Sequence, residues 1–445
     1  PMTGPAAAQQ DEPLKRDIGL LGSAMLVLNG IVGASIFALP GTLLADFGAF
    51  SPFLFPVFGL LVLLIALPLG EAASYFDRTG GPVVYTREAF GPFISFQVGW
   101  CYYIARFTAF AASTTVFISY ATALNPGLSE GAPRAVLIVA ITAALAIINI
   151  VGVKRAVRAL DAISVLKIAP LVIFALLGAA LYGAHGLGPI ELPAMSQVER
   201  ASLLVLYAFM GFETSLVVGG ETKDAKRTIP RAMIGTLIIM IGFYFLVQYG
   251  YAAAMAGETA TKAPLVAFGE KLFGRPGEIV IIIAALFSVT GNLLASMTGA
   301  PRLAFALARD GQLPRWFGEV SPRFATPVNA ILFMAVMAGA LALSGTFAAL
   351  AVISTLSRLF VYLASLAALP VIRRKRAAAP HVGAMRLAAP AILAGGVLFC
   401  LWAVFQSSFE AWKAFGALFL LGSIFYAAEH ALSRRRRMAG ASESG

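Results

Sequence analysis

Long apolar segments, each about the length that crosses a lipid bilayer, recur along almost the whole chain. A membrane-spanning helix needs about 20 mostly apolar residues, and by this criterion the 445 residues contain twelve spans. Inside a bilayer every backbone N–H and C=O group must find a partner within the protein, so segments of this kind fold as helices. Only 12% of the residues are charged, against about 25% in an ordinary soluble domain. The sequence therefore predicts an all-α integral membrane protein with twelve transmembrane helices.

The predicted spans are separated by short connections, in which most of the charged residues lie. The spans are 19–44, 52–76, 94–124, 134–151, 160–182, 198–219, 231–255, 278–307, 328–343, 347–372, 387–406 and 411–430. Together they form one transmembrane domain, residues 17–433, between an N-terminal tail, residues 1–16, and a basic C-terminal tail, residues 434–445.

The Lys and Arg residues are distributed unevenly between the two sides of the predicted membrane. Of the 33 Lys and Arg, the connections on the side opposite to the N-terminus hold only Arg134, Arg200, Lys262, Lys271, Arg275 and Lys413. Loops rich in Lys and Arg remain in the cytoplasm, so both termini are predicted to be cytoplasmic, in a bacterial-type inner membrane. The same distribution accounts for the net charge of +11, and no nucleic-acid partner is expected.

Two of the spans contain residues that favour an open backbone near the middle of the membrane. The stretch "NGIVGASIFALPG" in the first span places Gly30, Gly33, Ala34 and Ser35 there, and "LYAFMGFETSLVVGGE" places Gly211 there in the sixth. Small residues at such spacings also serve close helix packing. For one span alone, a broken helix and a packing role are therefore both open interpretations.

The positions of these two spans favour the broken-helix interpretation. They begin two five-helix halves, residues 17–184 and 197–376, which two further helices at 387–430 follow. An odd number of helices inserts the second half upside down, and in transporters built from such inverted repeats paired broken helices form the substrate site. An open helix leaves N–H groups without partners, and those that begin the next helix carry partial positive charge, which attracts a carboxylate.

Four motifs, in their order along the chain, resemble those of the amino acid–polyamine–organocation (APC) superfamily of transporters. They are "GIVGASIFALPG", "RTGGPVVYTREAFGP", "AFMGFETSLVVGGETKDAKRTIPRA" and "RLAFALARDGQLPRWFGEVSPRFATPVNA". The resemblance, which is to the amino acid permease type, extends from about residue 17 to the twelfth span. It implies the leucine-transporter-type fold, in which two inverted five-helix repeats with broken first and sixth helices precede helices 11 and 12.

The resemblance also implies where an amino acid substrate binds. The α-carboxylate would bind the N–H groups of residues 34–36, and the α-amino group would bind the carbonyls of residues 208–211. Ser35 stands where the family usually has glycine, and Tyr207 is a candidate for the aromatic side chain that gates the site, although a tyrosine there also serves packing. The candidate substrate-binding residues are Ile31, Gly33, Ala34, Ser35, Ile36, Arg106, Tyr207, Ala208, Phe209 and Gly211.

Lys167, in the fifth span, is the first candidate for ion coupling. It resembles a family lysine that occupies the place of a sodium ion in sodium-coupled relatives, and its ammonium group would bridge the first helix and a hydroxyl such as that of Ser288. Burial lowers the pKa of a lysine, so proton exchange is chemically available to it. A proton-coupling switch and a permanent structural cation remain open, and both predict sodium independence.

Glu213 is the second candidate, because ionisable groups within the membrane are costly and are usually functional. In family members that carry it, this glutamate is linked to proton sensing or coupling. The alternative is a permanent ion pair with Arg106 in the third span, and Arg106 could instead contact an anionic substrate side chain. Arg358 in the tenth span could do likewise, or it could pack against a carbonyl group.

The remaining acidic residues and the cysteines give no sign of a catalytic or metal site. Glu71, Asp77 and Asp310 lie at predicted cytoplasmic ends of spans, where salt bridges are expected rather than substrate contacts. Cys101 and Cys400 lie in apolar segments and provide neither a disulfide framework nor metal-ligand spacing.

The function predicted from these features is secondary active transport of amino acids by alternating access. The first, second, sixth and seventh helices would rock against the others, with protons as the coupling ion in a symport and without cofactor or metal. An amino acid exchanger and a polyamine or cationic amine carrier are the alternatives. An intramembrane enzyme is not expected, because the interiors of the spans contain no histidine, no His-x-x-Glu-His pattern and no paired aspartates. Expected partners are the amino acid and membrane lipids, with the chain as a monomer or homodimer.

Overall fold

A computed structural model describes residues 16–152, 168–183, 187–258, 262–376 and 389–442, with side chains up to residue 433. Its α-helices are α1 Leu20–Ile31, α2 Ser35–Phe47, α3 Leu54–Ser74, α4 Pro82–Phe90, α5 Pro92–Leu124, α6 Gly131–Val151, α7 Ile168–Tyr182, α8 Met195–Phe209, α9 Ala225–Met255, α10 Pro264–Phe273, α11 Arg275–Arg309, α12 Val328–Ser344, α13 Phe347–Lys375, α14 Ala389–Phe405 and α15 Phe409–Ser442. Shorter 3₁₀ helices cover Gly48–Phe53, Pro126–Leu128, Phe212–Glu221 and Arg315–Gly318.

Each of the twelve predicted spans coincides with helical structure in the described chain, which confirms the all-α membrane fold. Eight helical stretches are long and apolar enough to cross a bilayer, and α1, α7, α12 and α14 are shorter apolar helices. The predicted start of the fifth span, at residue 160, lies outside the described residues. The first and sixth spans are each divided into two pieces, as the leucine-transporter-type fold requires.

Two short helices, α4 and α10, were not predicted from hydropathy. Each has proline in its first turn, Pro82 or Pro264, where the missing proline N–H leaves no hydrogen bond unmade. Each ends before a glycine with positive φ, +84° at Gly91 and +61° at Gly274, which is a common helix terminator. They lie in connections that a search for 20-residue apolar segments does not detect.

The helices pack in groups around the interrupted spans. Helix α3 lies along α9, and α1 contacts both α9 and the 3₁₀ helix Phe212–Glu221. On the other side, α5 packs against α11 and α13, while α14 covers α3 and α13. The pieces of the first and sixth spans therefore meet beside α9, where α1 contacts the 3₁₀ helix Phe212–Glu221. The division into repeats at residues 17–184 and 197–376 remains a prediction.

Ion pairs concentrate at one end of the bundle, here named the basic end, where Arg16 and the C-terminus of α13 lie. The three expected acidic residues all form pairs there: Asp77 with Arg16 at 3.9 Å, Asp310 with Arg87 at 2.7 Å, and Glu71 with Arg373 at 2.7 Å. The prediction that these residues make salt bridges is confirmed.

The polypeptide before α1 is also bound at the basic end. The N–H of Ile18 donates to the carbonyl of Glu221 at 3.1 Å, and the N–H of Lys223 donates to the carbonyl of Ile18 at 2.8 Å. The segments that flank the first and sixth spans are therefore joined through their backbones.

Candidate functional site

The first span is open between Ile31, the last residue of α1, and Ser35, the first residue of α2. Val32 has φ −76° and ψ 89°, which is far from helical geometry. As a result, the N–H groups of residues 33–36 find no acceptor in the described part of the chain. Four consecutive donors at the beginning of a helix form a site that favours an anion.

The sixth span opens where α8 ends at Phe209. Met210 is extended, with φ −64° and ψ 140°, and Gly211 has φ +113°. Such a positive φ strongly favours glycine. The carbonyls of Ala208, Phe209 and Met210 meet no donor among the described residues. A row of free carbonyls at the C-terminus of a helix carries partial negative charge and favours a cation.

The two openings are in direct contact. A Cβ atom added at Gly30 would lie 2.5 Å from the carbonyl oxygen of Gly211 and 2.6 Å from Oγ1 of Thr214. A Cβ added at Gly211 would collide with the carbonyl group of Gly30. Glycine is therefore required at both positions, because the backbone that precedes the first opening touches the backbone of the second.

A buried ionic network holds the second opening. The Glu213 carboxylate is fully buried; its Oε1 accepts from Nε of Arg358 at 3.1 Å, and its Oε2 accepts from the hydroxyl of Tyr362 at 2.9 Å. The same Oε2 accepts from the N–H of Gly211 at 2.9 Å. Arg358 also donates to Oγ of Ser354 at 2.7 Å. One carboxylate therefore connects the opened backbone to α13.

The predicted alternative of an ion pair between Glu213 and Arg106 is wrong. Its Nη2 donates to the hydroxyl of Tyr102 at 3.1 Å, and its guanidinium lies 5.2 Å from the centre of that tyrosine ring. Arg358 reaches Glu213 because the opened sixth span packs on α13, a contact between distant segments that the sequence does not reveal. The alternative of a carbonyl partner for Arg358 is also wrong, since its guanidinium donates to the side chains of Glu213 and Ser354.

The comparison with known protein families decides what kind of protein carries this arrangement. The family described as amino acid permease matches residues 18–424. The chain belongs to the amino acid permease family. It is a multi-pass membrane transporter and not an enzyme, and its expected resemblance to APC transporters is confirmed.

Three similar proteins come from Bacillus subtilis (strain 168). The serine/threonine exchanger SteT is 28% identical over 74% of this permease and 77% of its own length. The branched-chain amino acid permease BcaP is 26% identical, with 95% and 94% of the two chains covered. The methylthioribose transporter is 26% identical, with 96% of each chain covered.

Tyr207, the candidate gating residue of the permease, lies in an apolar cluster. Its ring meets that of Phe347 edge-on at 5.8 Å, and the cluster includes small residues of α5 and α13. It lies about one helical turn before the opening, in the last turn of α8. A role as a gate remains a prediction.

The predicted coupling residues are only partly within the described chain. Lys167 lies outside it. Ser288 is buried, and its hydroxyl has no hydrogen-bond partner among the described residues. One turn later, the amide group of Asn292 lies against Gly33, because a Cβ at Gly33 would be 3.1 Å from its Nδ2. Asn292 therefore borders the first opening, although no motif marked it.

Three tyrosines near the openings were also missed by the sequence analysis. The hydroxyl of Tyr244 donates to the carbonyl of Ile31 at 2.9 Å, and that of Tyr120 donates to the carbonyl of Phe37 at 2.8 Å. Tyr362 bonds Glu213. A tyrosine in the middle of a predicted span was the available signal, because a buried hydroxyl needs a partner.

Proposed function

We propose that this permease is a secondary active transporter that binds the amino and carboxylate groups of an amino acid at the two openings. The contact between Gly30 and Gly211 carries the proposal, because it brings the free N–H groups of residues 33–36 near the free carbonyls of residues 208–210. An α-amino acid presents a carboxylate and an ammonium group on adjacent atoms. The two ends of this arrangement match those two charges.

The backbone supplies this match whatever the substrate side chain is. The first turn of α2 carries a partial positive charge of about half a unit, and the last turn of α8 carries a similar negative charge. Candidate residues Ala34 and Ala208 are small, and both are buried beside the openings. The geometry therefore supports amino acids as a class, and the surrounding side chains would select among them.

For coupling, we assign proton exchange to Lys167 and a structural role to Glu213. Glu213 accepts three hydrogen bonds, one of them from the buried cation of Arg358, and this environment favours the ionised carboxylate. Proton uptake at Glu213 would require this network to separate. Lys167 is the remaining candidate, and its resemblance to a family lysine in the place of sodium supports sodium-independent symport.

Transport by the purified permease in proteoliposomes tests the proposal. An inward proton gradient should drive uptake of at least one of the twenty amino acids, and replacing sodium with choline should leave the rate unchanged. Decarboxylated amines should not compete, because they lack the group that binds residues 34–36. Competition by amines but not by amino acids would reject the binding scheme and favour a polyamine carrier.

The second candidate function is obligatory exchange, which the similarity to a serine/threonine exchanger favours. An exchanger would take up labelled substrate only when unlabelled amino acid is present inside the vesicles. A symporter would accumulate substrate in empty vesicles when a proton gradient is imposed. Lys167→Ala should abolish the response to the proton gradient, whereas an unchanged response would reject the assignment of coupling to this lysine.

We also propose that both termini are cytoplasmic, as the charge distribution predicts. Both native cysteines are buried, so single exposed cysteines can report orientation. In intact cells an impermeant thiol reagent should label Ser129→Cys, in the connection before α6, and should not label Ser433→Cys. The reverse pattern would place the basic end outside.

A further inference from the structure

We propose that a cavity at the basic end binds the headgroup of an anionic phospholipid. The cavity lies between α3, α9 and α14 and has a volume of about 120 Å³. Its walls combine charged side chains near the predicted membrane surface with apolar side chains from three predicted spans. The residues that carry the argument are Leu67, Glu71, Lys226, Arg231, Ile234 and Ile392.

The charged wall of the cavity is positive. Lys226, Arg227 and Arg231, all exposed, lie in the first two turns of α9. The two carboxylates beside this wall already interact with other arginines. Glu71 accepts two hydrogen bonds of 2.7 Å from Arg373, and Asp224 lies 3.8 Å from Arg227. Lys226 and Arg231 therefore add positive charge that these carboxylates do not neutralise.

The opposite wall of the cavity is apolar. Leu67 of α3, Ile234 of α9 and Ile392 of α14 line it, and each belongs to a predicted membrane span. A free phosphate ion would fill the charged part and leave this wall without contacts. A phospholipid would satisfy both parts, because its phosphate would lie beside Lys226 and Arg231 while the beginning of an acyl chain packed on the apolar wall.

The position of the cavity agrees with the properties of bilayers. Lys and Arg residues near a membrane surface attract anionic lipids. Helices α3 and α9 pack along each other, and α14 packs on α3. A lipid bound here would contact all three helices, so we expect it to raise the thermal stability of the folded permease by mass action.

Thermal unfolding of the delipidated permease in a neutral detergent tests the proposal. Added phosphatidylglycerol should raise Tm by several degrees, and equal amounts of phosphatidylcholine should not. The variant K226Q/R231Q should lose at least half of the shift. The control R309Q/R315Q removes the same charge from exposed positions at the same end and should keep the full shift.

Two further measurements separate a lipid site from a nonspecific charge effect. Ile392→Trp fills the apolar part without changing any charge, and it should also reduce the shift by at least half. Inorganic phosphate should have no effect at millimolar concentration. A full shift with phosphate, or an undiminished shift with phosphatidylglycerol in both K226Q/R231Q and Ile392→Trp, would overturn the proposal. The Tm shifts do not depend on transport. The lipid site is therefore tested independently of the proposed amino acid substrate.

Discussion

The first and sixth spans contact each other in two regions. The two regions differ in whether their polar groups have partners within the protein. At the openings, Gly30 and Gly211 touch through bare backbone, and the neighbouring N–H and C=O groups are left without partners in the described chain. At the basic end, the flanking segments are paired: Ile18 bonds with Glu221 and Lys223 through the backbone. Nearby acidic and basic side chains form ion pairs.

This difference shows which part of the molecule is prepared for a ligand and which part is closed by its own contacts. Unpaired backbone groups inside a membrane are costly, so the openings persist where a ligand or water can satisfy them. At the basic end, by contrast, the polar groups find partners within the protein. In the proposed alternating-access transport, the contacts at the basic end would have to break while the glycine contact is kept.

The largest effect is expected at the glycine contact. Gly211→Ala places a Cβ against the carbonyl of Gly30 and forces a non-glycine residue to φ +113°, which alone costs about 1–2 kcal/mol. The two openings must move apart, and we expect substrate uptake to fall by about 100-fold, as for other displacements of positioned groups by about 1 Å.

Gly235→Ala and Gly242→Ala are the matched controls for this change. Both glycines lie in α9, and a Cβ at either position meets no atom within 4 Å. Alanine in a helix is favoured over glycine by about 0.5–1 kcal/mol, so these variants should retain uptake and be no less stable. Near-normal uptake by Gly211→Ala would show that the contact is not required.

The second effect concerns the network that holds the sixth-span opening. Glu213→Gln leaves the buried cation of Arg358 uncompensated, and breaking a buried ion pair in this way costs about 3–5 kcal/mol. We expect a large decrease in Tm together with reduced uptake. Removal of both charges in E213Q/R358M should restore much of the lost stability while uptake stays low.

The Tm of Glu213→Gln, compared with the pH dependence of its uptake, distinguishes the proposed structural role of Glu213 from a role in proton coupling. If Glu213→Gln had normal Tm but lost only the pH dependence of uptake, Glu213 would be the proton carrier and our assignment to Lys167 would be wrong. Thermal unfolding and uptake at several pH values, measured on the same preparations, provide the comparison.

The third effect is expected from a variant that weakens the ion pairs of the basic end and leaves the openings unchanged. Glu71→Gln removes the bidentate pair between α3 and Arg373, in which Glu71 is 12% exposed. Hydrogen bonds between charged groups contribute about 1.5–3 kcal/mol, so the ratio of closed to open molecules should fall by about tenfold or more. The labelling rate of a cysteine introduced at Ser215, a buried position just after the opening, should rise accordingly.

Asp310→Asn is the control for this experiment. It removes a pair with Arg87 whose side chains are about half exposed, 49% and 54%, and exposed pairs contribute little. Labelling at Ser215→Cys should change little in Asp310→Asn. Equal labelling rates in Glu71→Gln and the parent would mean that the Glu71–Arg373 pair does not hold the basic end closed.

Much of this comparison could be predicted from the sequence, because the openings depend on local residue types. Glycine at 30, 33 and 211 and the positions of the first and sixth spans were sufficient to predict two broken helices, whereas the carboxylate site remains a prediction. The salt bridges of Glu71, Asp77 and Asp310 were also predictable, because a charged residue at the end of a span must find a partner or water.

The partners within the membrane were not predictable in the same way. The choice of Arg358 over Arg106 for Glu213 depends on how the opened sixth span lies against α13, and this is a matter of tertiary packing. The same holds for Tyr244 and Tyr120, which bond carbonyls of α1 and α2 from α9 and α5. Hydropathy identifies a membrane-spanning segment. It does not show which face of that helix packs against which neighbouring helix.

The smallest effect is expected from acid titration of the basic end. Glu88 forms a bidentate pair with Arg376, with distances of 2.6 and 2.7 Å, and this guanidinium holds the pKa of the Glu88 carboxyl below its usual value. A lowered pKa in the folded state stabilises the protein above the ordinary carboxylate pKa of about 4.3, and this contribution is lost as the pH falls through the lowered value. Glu88 is 26% exposed, so the contribution should be below about 1 kcal/mol.

The difference in Tm between the parent and Glu88→Gln isolates this contribution from other titrating groups. The parent should be slightly more stable at pH 7, and the difference should shrink as the pH falls below about 4. Glu130→Gln, which removes one carboxylate from an exposed position near the opposite end, is the control variant. A difference that grew toward acid pH would require Glu88 to be more easily protonated in the folded state, and the ion pair with Arg376 would then not form in solution.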